Sequence, residues 1–360
     1  MVCGPRRGLE AFMLIRSRYP GTEAAEGIAF KGRYHRILRI VRTLDVCVIL
    51  PVYNEARWIG SCLDSLVSQT RRPAKIYVLD DGSVDRTADI AAGYPGVTVL
   101  RNKHLHRPGQ LKLAMDLPLA EISHLAEADA FYDPEFLEKT CALIEAGQAD
   151  MCHGRIYTRN PGKMLPRVVE FYRRRRWGEE TKETQTGWVF RTEALRRIKI
   201  PTDIFIAEDQ VIGAQIRALG YRTRYVPEAK FHHYEKESFR ELIRQQFRWG
   251  VGSLPLMIRY GGMLHQKNIR DRWIQVALGY GSLCFMVLAG IYWPILLVFT
   301  LLLGFVGLVV RGIHLSLQGS DHLAGFLFIF YRILCIIVGF FGFNYALLLR
   351  LARRDLLVHT

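Results

Sequence analysis

Residues 46–53 read VCVILPVY, an unbroken apolar run rich in β-branched side chains that ends at a turn, and this texture predicts a buried strand. The next stretch, ARWIGSCLDSLVSQ (56–69), changes rhythm: Ile59, Leu63, Leu66 and Val67 fall on one face of a helix. AKIYVLDDGS (74–83) returns to the strand pattern and runs into two aspartates and a glycine turn. DRTADIAAG then predicts a helix closed by Gly93, VTVLRN (97–102) a third strand, and 122–126 a weaker fourth. Strand–helix–strand alternation with short loops predicts an α/β fold with parallel strands and right-handed crossovers. Ligands in such sheets bind at the carboxyl ends of the strands, where strand order reverses. Those ends carry PVYNE, DDGS and EAD, so polar residues collect where the fold would build a site.

The last third has another pattern. Residues 274–310 hold no charged side chain over 37 positions, whereas one membrane span needs about 20. IYWP (291–294) interrupts the run, which favours a tight hairpin of two short spans over one long tilted helix. LAGFLFIFYRILCIIVGFFGFNYALLLR then follows, apolar apart from Arg332 and closed by Arg350, Arg353 and Arg354. It fits either a third span with Arg332 snorkelling or a helix lying in the interface, and charge placement does not choose between them. Upstream, FRELIRQQFRWGVGSLPLMIRY (239–260) sets apolar residues at helical spacing with arginines between them, as an interfacial helix does. The expected organisation is a basic extension (1–44), an α/β catalytic domain (45–235), an amphipathic interface (236–272), a transmembrane region (273–350) and a basic tail (351–360).

Charge narrows the partners. Lys+Arg total 49 against 34 Asp+Glu, a net +15, which suits an anionic partner. Combined with long apolar runs, that excess points to the membrane surface. Nucleic acid is set aside, because the positive charge does not line an aromatic-studded groove. The seven cysteines are scattered without CxxC or zinc spacing, as in a reducing compartment. The first 45 residues are arginine-rich and lack an apolar run long enough for a signal peptide or span. The expected location is therefore the cell membrane, multi-pass, with the catalytic domain on the cytoplasmic side.

Candidate chemistry sits at the strand ends. In PVYNE, Tyr53 can stack on a planar base, and Asp81 in DDGS can accept from a base imide or a ribose hydroxyl. The bland alternative is that Asp80, Asp81 and Asp85 only cap the next helix. Two such motifs on adjacent strand ends favour a nucleotide pocket. Glu127 and Asp129 flank one alanine, so both carboxylates can face one cleft and offer the hard oxygens that Mg²⁺ or Mn²⁺ prefers; an isolated ExD would be a solvated turn. KHLHRPGQLK (103–112) supplies Lys103, His106, Arg107 and Lys112, for phosphates or for solvent. Gly187, before a short apolar run, suggests close backbone approach to a ligand. Glu208–Asp209 opens a helix, where Asp209 is either a cap or a general base. His232 and His233 follow a probable strand; one could complete a metal site, although a His pair is more often structural.

PVYNE, DDGSxDxT, ExD, TG, ED and QxxRW, in this order over about 45–250, resemble the inverting family 2 glycosyltransferases. The resemblance implies a GT-A fold, a Rossmann-like nucleotide-diphospho-sugar transferase domain, here followed by C-terminal transmembrane helices. It implies donor contacts from Pro51, Tyr53, Glu55, Asp81, Lys112, Glu127 and Arg248, the base usually being uracil. Asp129 and Glu127 stand at the metal-binding DxD position, with His232 or His233 as a further ligand. Asp209, with Glu208, takes the general-base position, and Gln245, Arg248 and Trp249, with Gly187, the acceptor side. Glu127 departs from the family's aspartate, which makes Asp129 the expected direct ligand and Glu127 a second-layer or ribose contact.

The implied reaction is transfer from a nucleotide-sugar donor to a lipid-linked or glycan acceptor at the membrane. Two or three spans are too few to enclose a polymer channel, which argues against a processive polysaccharide synthase. A phosphate acceptor requires no base, which argues against polyprenyl-phosphate glycosyltransfer. A membrane-tethered nucleotide-sugar binding protein with a degenerate site is supported by Glu127 alone. Oligomeric state is left open.

Overall fold

The computed structural model describes residues 43–176, 187–206, 208–260, 267–292, 294–317 and 321–352. The expected basic extension and tail thus lie almost wholly outside the described residues.

The first part is built on one eight-stranded sheet ordered β3-β2-β1-β4-β7-β6-β8-β5. Its strands are β1 (Val46–Val52), β2 (Lys75–Asp80), β3 (Val97–Arg101), β4 (Ile122–Leu125), β5 (Ala130–Tyr132), β6 (Met151–Thr158), β7 (Trp188–Arg191) and β8 (Thr223–His233). β3, β2, β1 and β4 run parallel, linked by α1 (Ile59–Val67), α2 (Thr87–Ala92) and α3 (His106–Ala114). Strand order reverses between β1 and β4, so the carboxyl ends of these two strands form the crevice in which such sheets take ligands. β7 then pairs antiparallel to both β4 and β6, β8 lies parallel to β6, and β5 closes the edge antiparallel to β8.

The unbroken apolar reading of β1 has a direct cause: both faces of the strand are covered. Val46, Val48, Leu50 and Val52 pack with Ile59, Cys62, Leu63 and Leu66 of α1 and with Phe136 and Leu137 of α4 (Phe136–Glu145). Cys47 and Ile49 face the other layer, with Leu111 of α3, Leu195 of α6 (Thr192–Arg196) and Ile212 and Ile216 of α7 (Glu208–Ala218). On α1, Cys62 takes the buried position expected of Val67, which is exposed. Pro51 sits in a central strand without breaking it. Ala126 N–H donates to Ile49 O at 2.9 Å, and pairing with β4 ends there. Two residues on, the missing N–H of Pro51 points beyond the end of that ladder.

α5 (Met164–Arg176) and α8 (Phe239–Tyr260) complete this part. Beyond it run α9 (Lys267–Tyr292), α10 (Pro294–Leu317) and α11 (His322–Leu351). The break expected within IYWP lies between α9 and α10, with Trp293 outside the described residues. α9 begins six residues before the expected start of the apolar region, so its first turn is charged. Thr300–Leu317 and His322–Leu351 are long and apolar enough to cross a membrane. α10 is exposed along most of its length, whereas α11 lies on the first part. Near its start, Ala324 packs with Val168 and Phe171 of α5, and Arg167 pairs with Asp321. Near its end, Phe343 and Ala346 pack with Val251, Leu254 and Met257 of α8. Glycines set that second contact: a Cβ on Gly250 would lie 2.2 Å from Gly339 O, and one on Gly342 would lie 2.2 Å from Phe247 O.

Candidate active site

The loops after β1 and β2 are laced together. Asn54, at φ 55°, accepts from Val84 N–H with Oδ1 and donates its own N–H to Ser83 Oγ, both at 2.9 Å. Glu55 N–H donates to Thr87 Oγ1 at 2.8 Å, and Ala56 N–H to Asp85 Oδ2 at 3.1 Å. Asp85 also accepts from Thr87 N–H, so it is the aspartate that caps α2. Asp81 does something else. Its buried carboxylate accepts from Leu105 N–H at 2.7 Å, His106 N–H at 2.9 Å and the Gln110 amide, and His104 Nδ1 lies 2.9 Å away. Tyr53 is half exposed above this loop, its ring 4.4 Å from that of His104.

The next cluster forms where β4 gives way to β5. Glu127, Asp129 and His233 bring one ligand atom each within 4.8 Å of one another. His233 Nε2 lies 3.1 Å from Asp129 Oδ1 and 3.6 Å from Glu127 Oε2. β8 supplies the histidine because its residue 233 pairs with Ala130, immediately after Asp129. His232, one residue earlier, points to the opposite face, with Nε2 3.1 Å from Asp133 Oδ1 and its ring stacked on Tyr157. Glu127 Oε2 is buried without a hydrogen-bond donor. A buried carboxylate oxygen without a donor, facing a second carboxylate and an imidazole, fits a hard divalent cation. Burial pushes the Glu127 carboxyl up, whereas the His233 charge overcomes burial and holds Asp129 below the usual carboxylate range. Burial, then the Asp129 charge, push Glu55 up to about 7.

Arg107 joins this cluster to α7. Its Nη1 is 2.5 Å from Glu208 Oε1 and its Nη2 is 3.8 Å from Glu127 Oε1. Glu208 is buried, and Asp209 beside it is half-buried. Burial, then the Glu208 charge, push Asp209 up to about 7 despite the opposing pull of Arg107. A carboxyl poised near neutrality at the rim of a cleft has the protonation behaviour of a general base.

α8 approaches from the side. Leu256 packs with Ile204, Val211 and Ala214, and Tyr260 Oη donates to Asp203 Oδ1 at 2.6 Å, seating the helix on the segment that leads into Glu208–Asp209. A Cβ on Gly252 would lie 2.7 Å from Ile206 Cβ. Gln245 is half-buried, while Arg248 and Trp249 are exposed. Arg248 acts on the 104–107 loop: burial, then His104, then the Arg248 charge hold His106 below the usual imidazole range.

Three candidates sit otherwise than expected. The space left by Gly187, at φ 67°, is taken by the Phe231 ring, 2.9 Å from where a Cβ would be, so a protein side chain makes the close approach. Lys112 is exposed in the last turn of α3, whereas Arg107 from the same basic stretch reaches the acidic cleft. Glu127, expected one layer back, shares the cluster with Asp129. Arg107 was visible only as one of several cations in a loop, because nothing in spacing separates a cleft arginine from a solvated one.

The sheet is of the GT-A type. Residues 47–204 match the model of the Glycosyl transferase family 2 domain. The O-antigen chain rhamnosyltransferase RfbN of Salmonella typhimurium is 23% identical over 58% of this chain and 72% of its own length. The poly(ribitol-phosphate) beta-glucosyltransferase of Bacillus spizizenii is 26% identical over 47% of this chain, which spans only 28% of that enzyme. The fold is shared with mannosyltransferase PcManGT of Pyrobaculum calidifontis, solved in complex with GDP-Man and Mn²⁺, at TM-score 0.58 and 17% identity over 83% of this chain and 87% of that one.

Proposed function

We propose that the chain is an inverting glycosyltransferase that moves a sugar from a nucleotide-diphosphate donor to a hydroxyl of a membrane-associated acceptor, such as a polyprenyl-linked saccharide or glycolipid. The observation that carries this reading is the single cleft holding the Glu127–Asp129–His233 cluster and, across Arg107, the carboxyl of Asp209 near pKa 7. Tyr53 offers the base a stacking face, and the laced 54–56 and 83–87 loops hold that wall rigid. Asp129, Glu127 and His233 would hold Mg²⁺ or Mn²⁺, which would supply charge to offset the departing diphosphate. Arg107 and Arg248 place further positive charge beside the leaving group. Asp209 takes the acceptor proton as the hydroxyl attacks the anomeric carbon from the face opposite the diphosphate, which inverts its configuration. Glu208, tied to Arg107, fixes the start of α7 and so the direction of Asp209. The seating of α11 on α5 and α8 at both its ends supports a helix lying along the membrane surface, with α9 and α10 as the inserted pair.

The test is transfer from a panel of UDP- and GDP-sugars to extracted lipids by membranes containing the protein, read as the mass gained and the anomer formed. Asp209→Asn is expected to lower turnover by about 10²–10⁴-fold while donor binding persists. Undiminished transfer in that variant, or a retained anomeric configuration, would overturn the mechanism.

A further inference from the structure

Both ring nitrogens of His233 face carboxylates, Nδ1 at ion-pair distance and without the geometry of a hydrogen bond. Nε2 faces the Asp129 and Glu127 carboxylates, and Nδ1 lies 3.3 Å from Glu235 Oε1. Glu235 is itself held on every side. Its backbone N–H donates to Asn160 Oδ1 and its carbonyl accepts from Asn160 Nδ2, both at 3.0 Å. Its carboxylate is paired with Arg173 Nη2, and Arg173 Nη1 donates to Thr158 Oγ1 at 3.0 Å. The side chains of Glu235 and Arg173 are each only 13% exposed. A carboxylate this enclosed stays charged only beside a fixed cation, and Arg173 is that cation.

We propose that Glu235, held by Arg173 and Asn160, is a positioning residue for the divalent-cation site, fixing the His233 ring so that Nε2 is presented to the ion. The physical ground is that an imidazole ligates through one nitrogen while the other donates its hydrogen to a carboxylate, which sets both tautomer and ring direction. Arg173 belongs to α5, the helix on which the first turns of α11 are seated through Phe171 and the Arg167–Asp321 pair. The ring that faces the cation is therefore braced from the same helix that supports the apolar C-terminal segment. This inference rests on the metal-site reading given above.

The experiment is Mn²⁺ titration of the full chain in detergent, by calorimetry and by the free-Mn²⁺ spin-resonance signal, comparing wild type, Glu235→Gln, Glu235→Asp and Glu237→Gln. Glu237 is two residues away, exposed, and bonded to Asn160 Nδ2 rather than to His233. Glu235→Gln is expected to weaken Mn²⁺ binding by about 10–100-fold, Glu235→Asp by less, and Glu237→Gln by under about twofold. The metal-free melting temperature of Glu237→Gln and Glu235→Asp should match wild type, and saturating Mn²⁺ should restore turnover in the Glu235 variants. Wild-type affinity in Glu235→Gln would overturn the positioning role and leave the metal site standing. Absence of Mn²⁺ binding in the wild type would overturn the metal site and this role with it. Should Glu235→Gln not fold, the Glu235→Asp comparison decides, and unchanged affinity there overturns the role.

Discussion

As the proposed general base, Asp209 has its carboxyl raised into the range such a role requires. Its carboxyl is raised from 3.8 to about 7, so the free base is lost as pH falls through 7, and the initial rate should drop on the acid side with that midpoint. Stability has the opposite slope. The folded carboxyl holds its proton more tightly than the unfolded one, so its contribution is full below about pH 4 and is lost as pH rises through 7. Asp209→Asn should therefore flatten the melting temperature across that window while abolishing transfer, a pairing that calorimetry and an activity assay can check together. Glu55, also raised to about 7, leaves a residual slope in that variant. A second residue-scale expectation concerns Gly187, where alanine would occupy a left-handed φ and press on Phe231. Gly187→Ala should cost about 1–3 kcal/mol, read as a lowered denaturation midpoint. Carboxylates at strand ends and helix starts were legible in the sequence as candidates, because the fold gathers polar residues there, although the same positions also serve as caps, as at Asp85. What was not legible depends on register. His232 and His233 are equivalent in sequence, and only the pairing of His233 with Ala130 turns one of them into the cluster.

At the scale of elements, α8 is held on two sides, by α7 and its preceding segment and by α11. Gly252 meets Ile206 on one side, and Gly250 meets Gly339 on the other. Gly250→Leu forces a side chain into backbone and should destabilise the protein by about 1–3 kcal/mol. Because a side chain at Gly250 would meet Gly339 and not a residue of the Glu127–Asp129–His233 cluster, Mn²⁺ affinity should stay within about twofold while transfer falls. The strands of the parallel half could be read directly, since burial on both faces writes an unbroken apolar run. α11 could not be read in the same way. A helix apolar on all sides does not say whether lipid or protein covers it, and here Phe171, Val251 and Met257 cover part of it.

For the whole molecule, part of the basic excess forms an exposed stripe on α8. Arg240, Arg244 and Arg248 stand at four-residue spacing on α8, all exposed, with Phe239 and Ile243 exposed between them. If this stripe meets anionic headgroups, Arg240→Glu with Arg244→Glu should weaken association with anionic vesicles, by about 1 kcal/mol for each arginine removed. Association should also weaken with added salt, and cosedimentation measures both. Vesicle binding unchanged by the two substitutions would assign attachment to α9 and α10 alone.

The glycine seam also limits how the enzyme can be altered. Gly250 and Gly342 allow no side chain at all, and Gly252 allows none without moving Ile206, whereas a Cβ on Gly339 would meet only Gln246 O, at 4.0 Å. The turn bearing Arg248 and Trp249 is therefore fixed in rotation, and a substitution in the seam would move every residue of that turn at once. If Gln245 and Trp249 meet the acceptor, its preference is open to change at those two positions, whose side chains lie off the seam, and closed at Gly250. A library built to retarget this enzyme should vary those two positions and leave the glycines alone.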